Sequence, residues 1–370
     1  MSDSTSPSDS NFRYSRVAGR GAQTAPKNRF EAIHREEELS QLAPDDEYLE
    51  ERQRPRTDYY ADTSRSIIAE NDSPDIPFRY SLNPYRGCAH GCAYCFARNS
   101  HEYLGFSAGL DFETKILIKP EAPELFHEWL ARDRYIPDVI AMSGVTDCYQ
   151  PIEKDYRLTR GCLEVAASCR QPMAIVTKNR LVTRDLDLFV EMANTNTISV
   201  AVSITSLDQS LTRTMEPRTS SPAARLEAIR ELSSAGVPVH LMAAPMIPGL
   251  NDDELPSILK AGAEAGARTA SFLMLRLPLT VKPVFVDWLH ATYPARAQKV
   301  ISRIRSVRDG GMNSSNWGER MKGTGPIAEQ LQQTFEVFTR KLGLDRTFGP
   351  LDASHFQPPK PKRGQLKLFS

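Results

Sequence analysis

Three of the chain's six cysteines, Cys88, Cys92 and Cys95, fall inside the stretch RGCAHGCAYC, in the spacing C-x3-C-x2-C. Gly87 and Gly91 interleave them and allow the tight backbone that a metal loop needs. Three thiolates can ligate three irons of a four-iron cubane and leave the fourth iron open, and an open metal position is where chemistry happens. A Cys3His zinc site with His90 or His101 as the last ligand is the competing reading, although structural zinc sites usually draw their ligands in two separated pairs. The remaining cysteines form no second cluster. Cys162 and Cys169 stand seven apart in a helical stretch, on one face, and read as core.

The loop needs a scaffold, and 370 residues with 40% hydrophobic content suit one large globular domain with tails. The polar, Ser-rich opening lacks the apolar run of a secretory peptide and the Arg-rich pattern of a transit peptide. With so few cysteines, a disulfide scaffold is not expected; the reading is a cytoplasmic protein with reduced thiols and no membrane span. Lys plus Arg equals Asp plus Glu at 46 each, so a nucleic-acid partner would have to be held by a local basic surface.

Residues 1–65 alternate acidic and basic clusters with few buried-type side chains, and are expected to be mostly disordered. From about 75 to 292, short β-branched runs alternate with segments of helical period. The strand candidates are RYSLNPYRG, DVIAMSG, MAIVTK, TISVAVSIT, VHLMAAPM and ASFLMLRLP. Between two of them, Ser221 can cap a helix with Pro222 in its first turn, Leu226, Ile229 and Leu232 as its stripe, and Gly236 as its stop. Apolar strands joined by single helices imply right-handed crossovers and a parallel sheet. Six such units predict an α/β fold, a curved partial (β/α)6 TIM-like barrel, with a flat doubly wound sheet as the alternative; either gathers ligands at the carboxyl ends of the strands. Residues 293–345 read as a helical extension, beginning with a basic amphipathic helix whose stripe is Val300, Ile304 and Val307. Residues 346–370 read as a flexible basic tail.

The cysteine spacing, the aromatic Tyr94 before the third cysteine and the six following units resemble radical S-adenosylmethionine (SAM) enzymes over about residues 75–290. Within that superfamily, NPYRGCAHGCAYCFAR, SGVTDCYQPIE, VSITSLD and MEPRTSSPAARLEAIRELSSAGV resemble the spore photoproduct lyase relatives, often labelled DNA repair photolyases. The resemblance implies a [4Fe-4S] cluster on Cys88, Cys92 and Cys95 whose open iron chelates SAM, an external electron donor, and reductive cleavage to a 5'-deoxyadenosyl radical. It further implies cofactor contacts from Tyr94, from Ser143, Gly144 and Asp147 after the second strand, and from Lys178 and Ser203 on the SAM carboxylate. Met246 and Gly249 would lie on the adenine side. The segment SGVTD departs from the family's common Gly-Gly-Glu form.

Cys148, directly after Asp147, is a candidate hydrogen donor to a substrate radical, weighed against a small buried side chain. For a DNA substrate, Arg296, Lys299 and Arg303, with Arg305 and Arg308 nearby, offer a basic helix face. In the tail, Gln365, Leu366, Leu368 and Phe369 of QLKLF resemble the peptide that bacterial repair proteins insert into the sliding clamp. The leading expectation is a radical SAM enzyme of the repair-lyase type acting on nucleic acid. The alternatives are the same chemistry on a protein or small molecule, and a zinc-binding adaptor for DNA and the clamp.

Overall fold

The structure is a computed structural model that describes residues 17–31, 55–346 and 349–359. Among the described residues ten strands are formed, β1 (Asp58–Ala61), β2 (Ile68–Glu70), β3 (Tyr80–Leu82), β4 (Tyr85–Arg86), β5 (Lys115–Ile118), β6 (Ile140–Met142), β7 (Met173–Thr177), β8 (Ile198–Ser203), β9 (Val239–Met246) and β10 (Thr269–Met274). The main sheet runs β10-β9-β8-β7-β6-β3-β2, parallel from β3 to β10, with β2 antiparallel at the edge. Each predicted strand segment contributes one of those six parallel strands. Their order follows the chain without reversal, so there is no switch point of the doubly wound kind, and the sheet is an open, partial barrel.

Helices cover the sheet and bury their apolar stripes against it. The predicted capped helix spans Pro222–Ser234; Ser221 accepts from the Ala224 N–H, and Ile229 and Leu232 are fully buried. The main core joins Ile175, Val200 and Leu241 of the sheet to Phe189, Ile229 and Ile258 of the helices, and both Cys162 and Cys169 lie in it. A second core joins Tyr94 and Ala93 of the cysteine loop to Phe285, Trp288, Val300 and Ile304 of the helices Val281–Thr292 and Pro294–Ser306.

Three features depart from the sequence reading. RYSLNPYRG is split: β3 joins the main sheet, whereas β4 joins a small sheet ordered β1-β5-β4. Residues 17–31 and 55–65, placed in a disordered arm, include the buried Val17, Arg20 and Ala22 and the paired strand β1. In the tail, residues 349–359 have no regular structure, yet Gln357 donates its N–H to the Cys169 carbonyl at 2.9 Å and Phe356 packs on the Tyr135 ring. Residues 1–16, the rest of the arm and Gln365, Leu366, Leu368 and Phe369 lie outside the described residues.

Between β9 and β10, His240 bonds Thr269 Oγ1 and Ser271 Oγ, both at 2.7 Å, and burial lowers its pKa to about 4. The unfolded chain therefore takes up this proton first as pH falls. Stability from a neutral His240 is complete above pH 6.5 and is lost as pH falls towards 4, by on the order of 3 kcal/mol. Urea denaturation of wild type and His240→Gln at about pH 7 and about pH 4.5 should show the smaller acid loss in the variant. Equal acid losses would count against a neutral buried His240.

Candidate active site at the cysteine loop

The cysteine loop leaves β4 and ends in the 3-10 helix Phe96–Leu104. Its backbone is held from several sides: Cys88 N–H donates to the Phe112 carbonyl at 2.9 Å, Ala93 N–H to that of Met215 at 2.9 Å, and Ala89 N–H to Gln150 Oε1 at 2.9 Å. Gly91 has φ +66°, and a Cβ there would come within 2.5 Å of Glu113 Oε2, so both conformation and space demand glycine.

All three thiols are free; Cys88 and Cys92 are buried and Cys95 is half-buried. Burial pushes the Cys92 thiol well above its ordinary value and that of Cys95 to about 11. Without a cation Cys92 and Cys95 stay protonated, and a bound metal reverses that balance. Among the described residues no three His, Cys, Asp or Glu side chains converge on one point where a single ion could sit. A cubane does not ask for that, because each cysteine meets a different iron, so three soft donors on one loop fit the cluster better than a tetrahedral zinc set. His90 lies beside Cys88, but its ring nitrogens face other partners, Nδ1 at 3.3 Å from Asp147 Oδ2 and Nε2 at 3.1 Å from Asn179 Nδ2. His101 bonds the Lys115 carbonyl through Nε2 at 2.9 Å, with its ring against Phe106 and Phe112.

Behind the loop lies a buried pair that the sequence reading missed. Arg98 donates to the Cys92 carbonyl through Nε at 3.0 Å and Nη2 at 2.8 Å, and its Nη2 also meets Glu113 Oε1 at 2.5 Å. Glu113 in turn accepts the N–H groups of Gly21, at 3.1 Å, and Ala22, at 2.7 Å. Residues 17–31 thus form a strap over the cysteine loop, pinned further along by Asn28 and Arg29 on Glu102. A Cβ on Gly21 would stand 1.8 Å from the Gly91 carbonyl oxygen. Gly21→Val should therefore lift the strap, cost about 1–3 kcal/mol, and speed labelling of the loop thiols by a thiol reagent. Unchanged labelling would show that the strap does not cover them.

Strand ends β6 to β9 bring the predicted cofactor residues to this loop in part. Asp147 accepts from Tyr149 N–H at 2.9 Å, Thr177 Oγ1 at 2.8 Å and Lys178 N–H at 2.8 Å, and it faces His90. With four partners its carboxylate is saturated, and it serves as a cross-link between the β6 loop, β7 and the cysteine loop. Burial alone would keep His90 neutral, but Asp147 and Cys88 beside it raise its pKa to about 10. Ser143, at φ +79°, accepts from the Cys148 N–H, and Gly144 packs against Ser81.

Lys178 Nζ donates to Ser203 Oγ and, at 3.2 Å, to the Ala244 carbonyl, so this predicted pair is assembled. Beneath it lies Glu216, also missed. Its Oε1 accepts from the hydroxyls of Tyr94 and, at 2.6 Å, Thr205; Lys178 Nζ stands 3.8 Å away; Oε2 meets Arg225 at 2.5 Å. Burial works against its charge, but Arg225 and Lys178 hold its pKa down to about 2. Nothing in the spacing of MEPRTSSPAAR shows that Glu216 and Arg225 meet; Tyr94, 122 residues away, completes the set.

Other candidates sit apart. Met246 is wholly buried in the main core, and Gly249 packs against Arg303 of the helix Pro294–Ser306. Cys148 is wholly buried with Thr159, Tyr149 and Ser143 around it. Arg296, Lys299 and Arg303 share a groove of ≈ 550 Å³ with Asp252 and Asp253, and Arg296 donates to the Gly249 carbonyl at 3.0 Å. Arg308 does not join that face: it is buried and donates to the carbonyls of Leu275, Glu319 and Arg320.

A family model described as the Radical SAM superfamily matches residues 82–261. Uncharacterized protein Rv2578c of Mycobacterium tuberculosis (strain ATCC 25618 / H37Rv) is 38% identical over 234 residues, 63% of this chain and 68% of that protein. Uncharacterized protein MJ0683 of Methanocaldococcus jannaschii is 32% identical over 176 residues, 48% of this chain and 63% of that one. Among solved structures, spore photoproduct lyase complexed with dinucleoside spore photoproduct matches with TM-score 0.55 at 16% identity, over 77% of this chain and 79% of that one. A mutant of that lyase with bound AdoMet and dinucleoside spore photoproduct matches with TM-score 0.52 at 17% identity, over 77% and 78% of the two chains. At these identities the likeness is one of fold. Among the described residues no helix is long and apolar enough to cross a membrane.

Proposed function

The chain belongs to the radical SAM superfamily, and from that premise we propose that it reductively cleaves SAM at a [4Fe-4S] cluster on Cys88, Cys92 and Cys95 and acts on nucleic acid. The observation that carries the reading is three free thiols on one glycine-shaped loop at the carboxyl ends of parallel strands. When bound, the cluster and SAM supply one-electron chemistry and a 5'-deoxyadenosyl radical that abstracts hydrogen. The chain's own residues bind, orient and exclude water. Lys178 and Ser203 offer an ammonium and a hydroxyl side by side for the SAM carboxylate, while Glu216, itself gripped by Arg225, holds that ammonium in place. Tyr94 is fixed by its bonds to Glu216 and Thr205, and the strap of residues 17–31 shields the loop from behind.

Nucleic acid is favoured over a protein or small metabolite by the fold shared with a lyase solved with a dinucleoside photoproduct, and by Arg296, Lys299 and Arg303 on an accessible groove. QLKLF adds a reading as a sliding-clamp ligand on sequence alone. Anaerobic reconstitution with iron and sulfide, then reduction with SAM, should yield visible absorbance and 5'-deoxyadenosine. Charge reversal at Arg296, Lys299 and Arg303 should weaken DNA binding and flatten its salt dependence. Zinc uptake without SAM cleavage would favour the adaptor; cleavage with unaltered DNA binding in the reversed variant would remove the role of the groove.

A further inference from the structure

Arg276 stands two residues beyond β10, at the carboxyl end of the last parallel strand. Its guanidinium lies 5.9 Å from the ring centroid of Phe96, the neighbour of Cys95, and that ring is 51% exposed. A guanidinium carries five N–H donors. Among the described residues the contact made by those of Arg276 is Nη1 to the Met321 sulfur at 3.7 Å, and Nε is buried with no acceptor. Two more guanidiniums are close by. Arg308 spends its terminal nitrogens on three carbonyls, and Arg320 is paired with Asp75, its Nε at 2.5 Å. Among the described residues Asp75 is thus the carboxylate that acts on both Arg276 and Arg320, and Arg308 adds a third positive charge beside Arg276. Burial and then Arg320 lower the Arg276 pKa, with Asp75 opposing them. A half-buried cation with no oxygen acceptor destabilises a fold unless an anion completes it.

We infer that Arg276 binds an oxyanion carried by the substrate, a phosphate or a carboxylate, and so sets the adjoining group against Phe96 beside the cysteine loop. A planar guanidinium fork matches either oxyanion in bidentate fashion, and an exposed aromatic ring next to it is a stacking face. The cofactor's own carboxylate is served elsewhere: Lys178 and Ser203 follow β7 and end β8, whereas Arg276 follows β10 at the edge of the sheet. The inference rests on the proposed function in taking the barrel mouth as the substrate's place; the binding itself needs no cluster chemistry.

The test uses the full chain, anaerobically purified, as wild type, Arg276→Gln and Arg276→Lys. Calorimetric titrations would use the dinucleoside monophosphate TpT, its uncharged methylphosphonate analogue, acetate and SAM. TpT or acetate should bind the wild type at least about tenfold more tightly than Arg276→Gln, with Arg276→Lys between them. Whichever of the two depends on Arg276 names the oxyanion. The uncharged analogue should not respond to the substitution, and SAM affinity should be unchanged. Because the only acceptor lost among the described residues is the weak Met321 sulfur, the ligand-free thermal midpoint of Arg276→Gln should equal or exceed that of wild type. A lower midpoint with unchanged affinities would make Arg276 structural and overturn the inference, as would failure of both anions to bind the wild type. A tenfold loss confined to SAM would give the residue to the cofactor and also overturn it. Arg276-dependent anion binding in a protein that does not cleave SAM would uphold the inference and sink the proposed function.

Discussion

Cys95→Ala is expected to bring the iron content and visible absorbance of the reconstituted protein to background and to cut SAM cleavage by at least ~100-fold. Groups that merely support a metal ligand cost 10–100-fold when removed, so losing a ligand costs more. The variant should fold, because Cys95 is half-buried and its truncation leaves the neighbouring backbone bonds of Cys95 and Arg98 in place. Cys162→Ala is the matched control: that thiol is wholly buried in the main core, far along the chain from the loop. It should cost about 1 kcal/mol of stability and leave iron binding intact. Full iron content in Cys95→Ala, or its loss in Cys162→Ala, would remove the assignment of the triad.

Glu216→Gln carries the largest expected stability cost, about 3–5 kcal/mol at neutral pH, because it leaves Arg225 buried beside Lys178 with no counter-ion. The pH dependence has a definite sign. The folded pKa of about 2 lies below the ordinary 4.5, so stability from this carboxylate is full above 4.5 and is lost as pH falls through 2. The gap between wild type and variant in urea denaturation should therefore be constant from neutral pH to about pH 5 and close in stronger acid. In the native variant, the Lys178 ammonium and Tyr94 hydroxyl lose a charged partner, so SAM binding should weaken as well. A gap of under about 1 kcal/mol would mean that the network does not rely on the charge of Glu216.

The six parallel strands were legible because runs such as MAIVT and ISVAVS are too apolar to lie anywhere but in a covered sheet. RYSLNPYRG was not legible as two strands. Asn83 leaves the strand to accept the N–H groups of Val145 and Thr146, and Pro84 has no N–H to donate to a ladder. The strap was invisible for a similar reason. Its composition is polar, and it is held by backbone N–H groups reaching Glu113, 92 residues from Gly21.

Local spacing settled the loop of Cys88, Cys92 and Cys95 and the βα rhythm behind it, since ligand spacing and hydrophobic period are properties of neighbours in the chain. Which carboxylate stands under Lys178, which arginine grips the Cys92 carbonyl, and why the Nε of Arg276 is left without an acceptor depended on the packed chain. A buried charge takes its meaning from what lies within a few ångströms of it, and in this protein those groups stand anywhere from six residues away in the chain, as Arg98 does from Cys92, to 122, as Glu216 does from Tyr94.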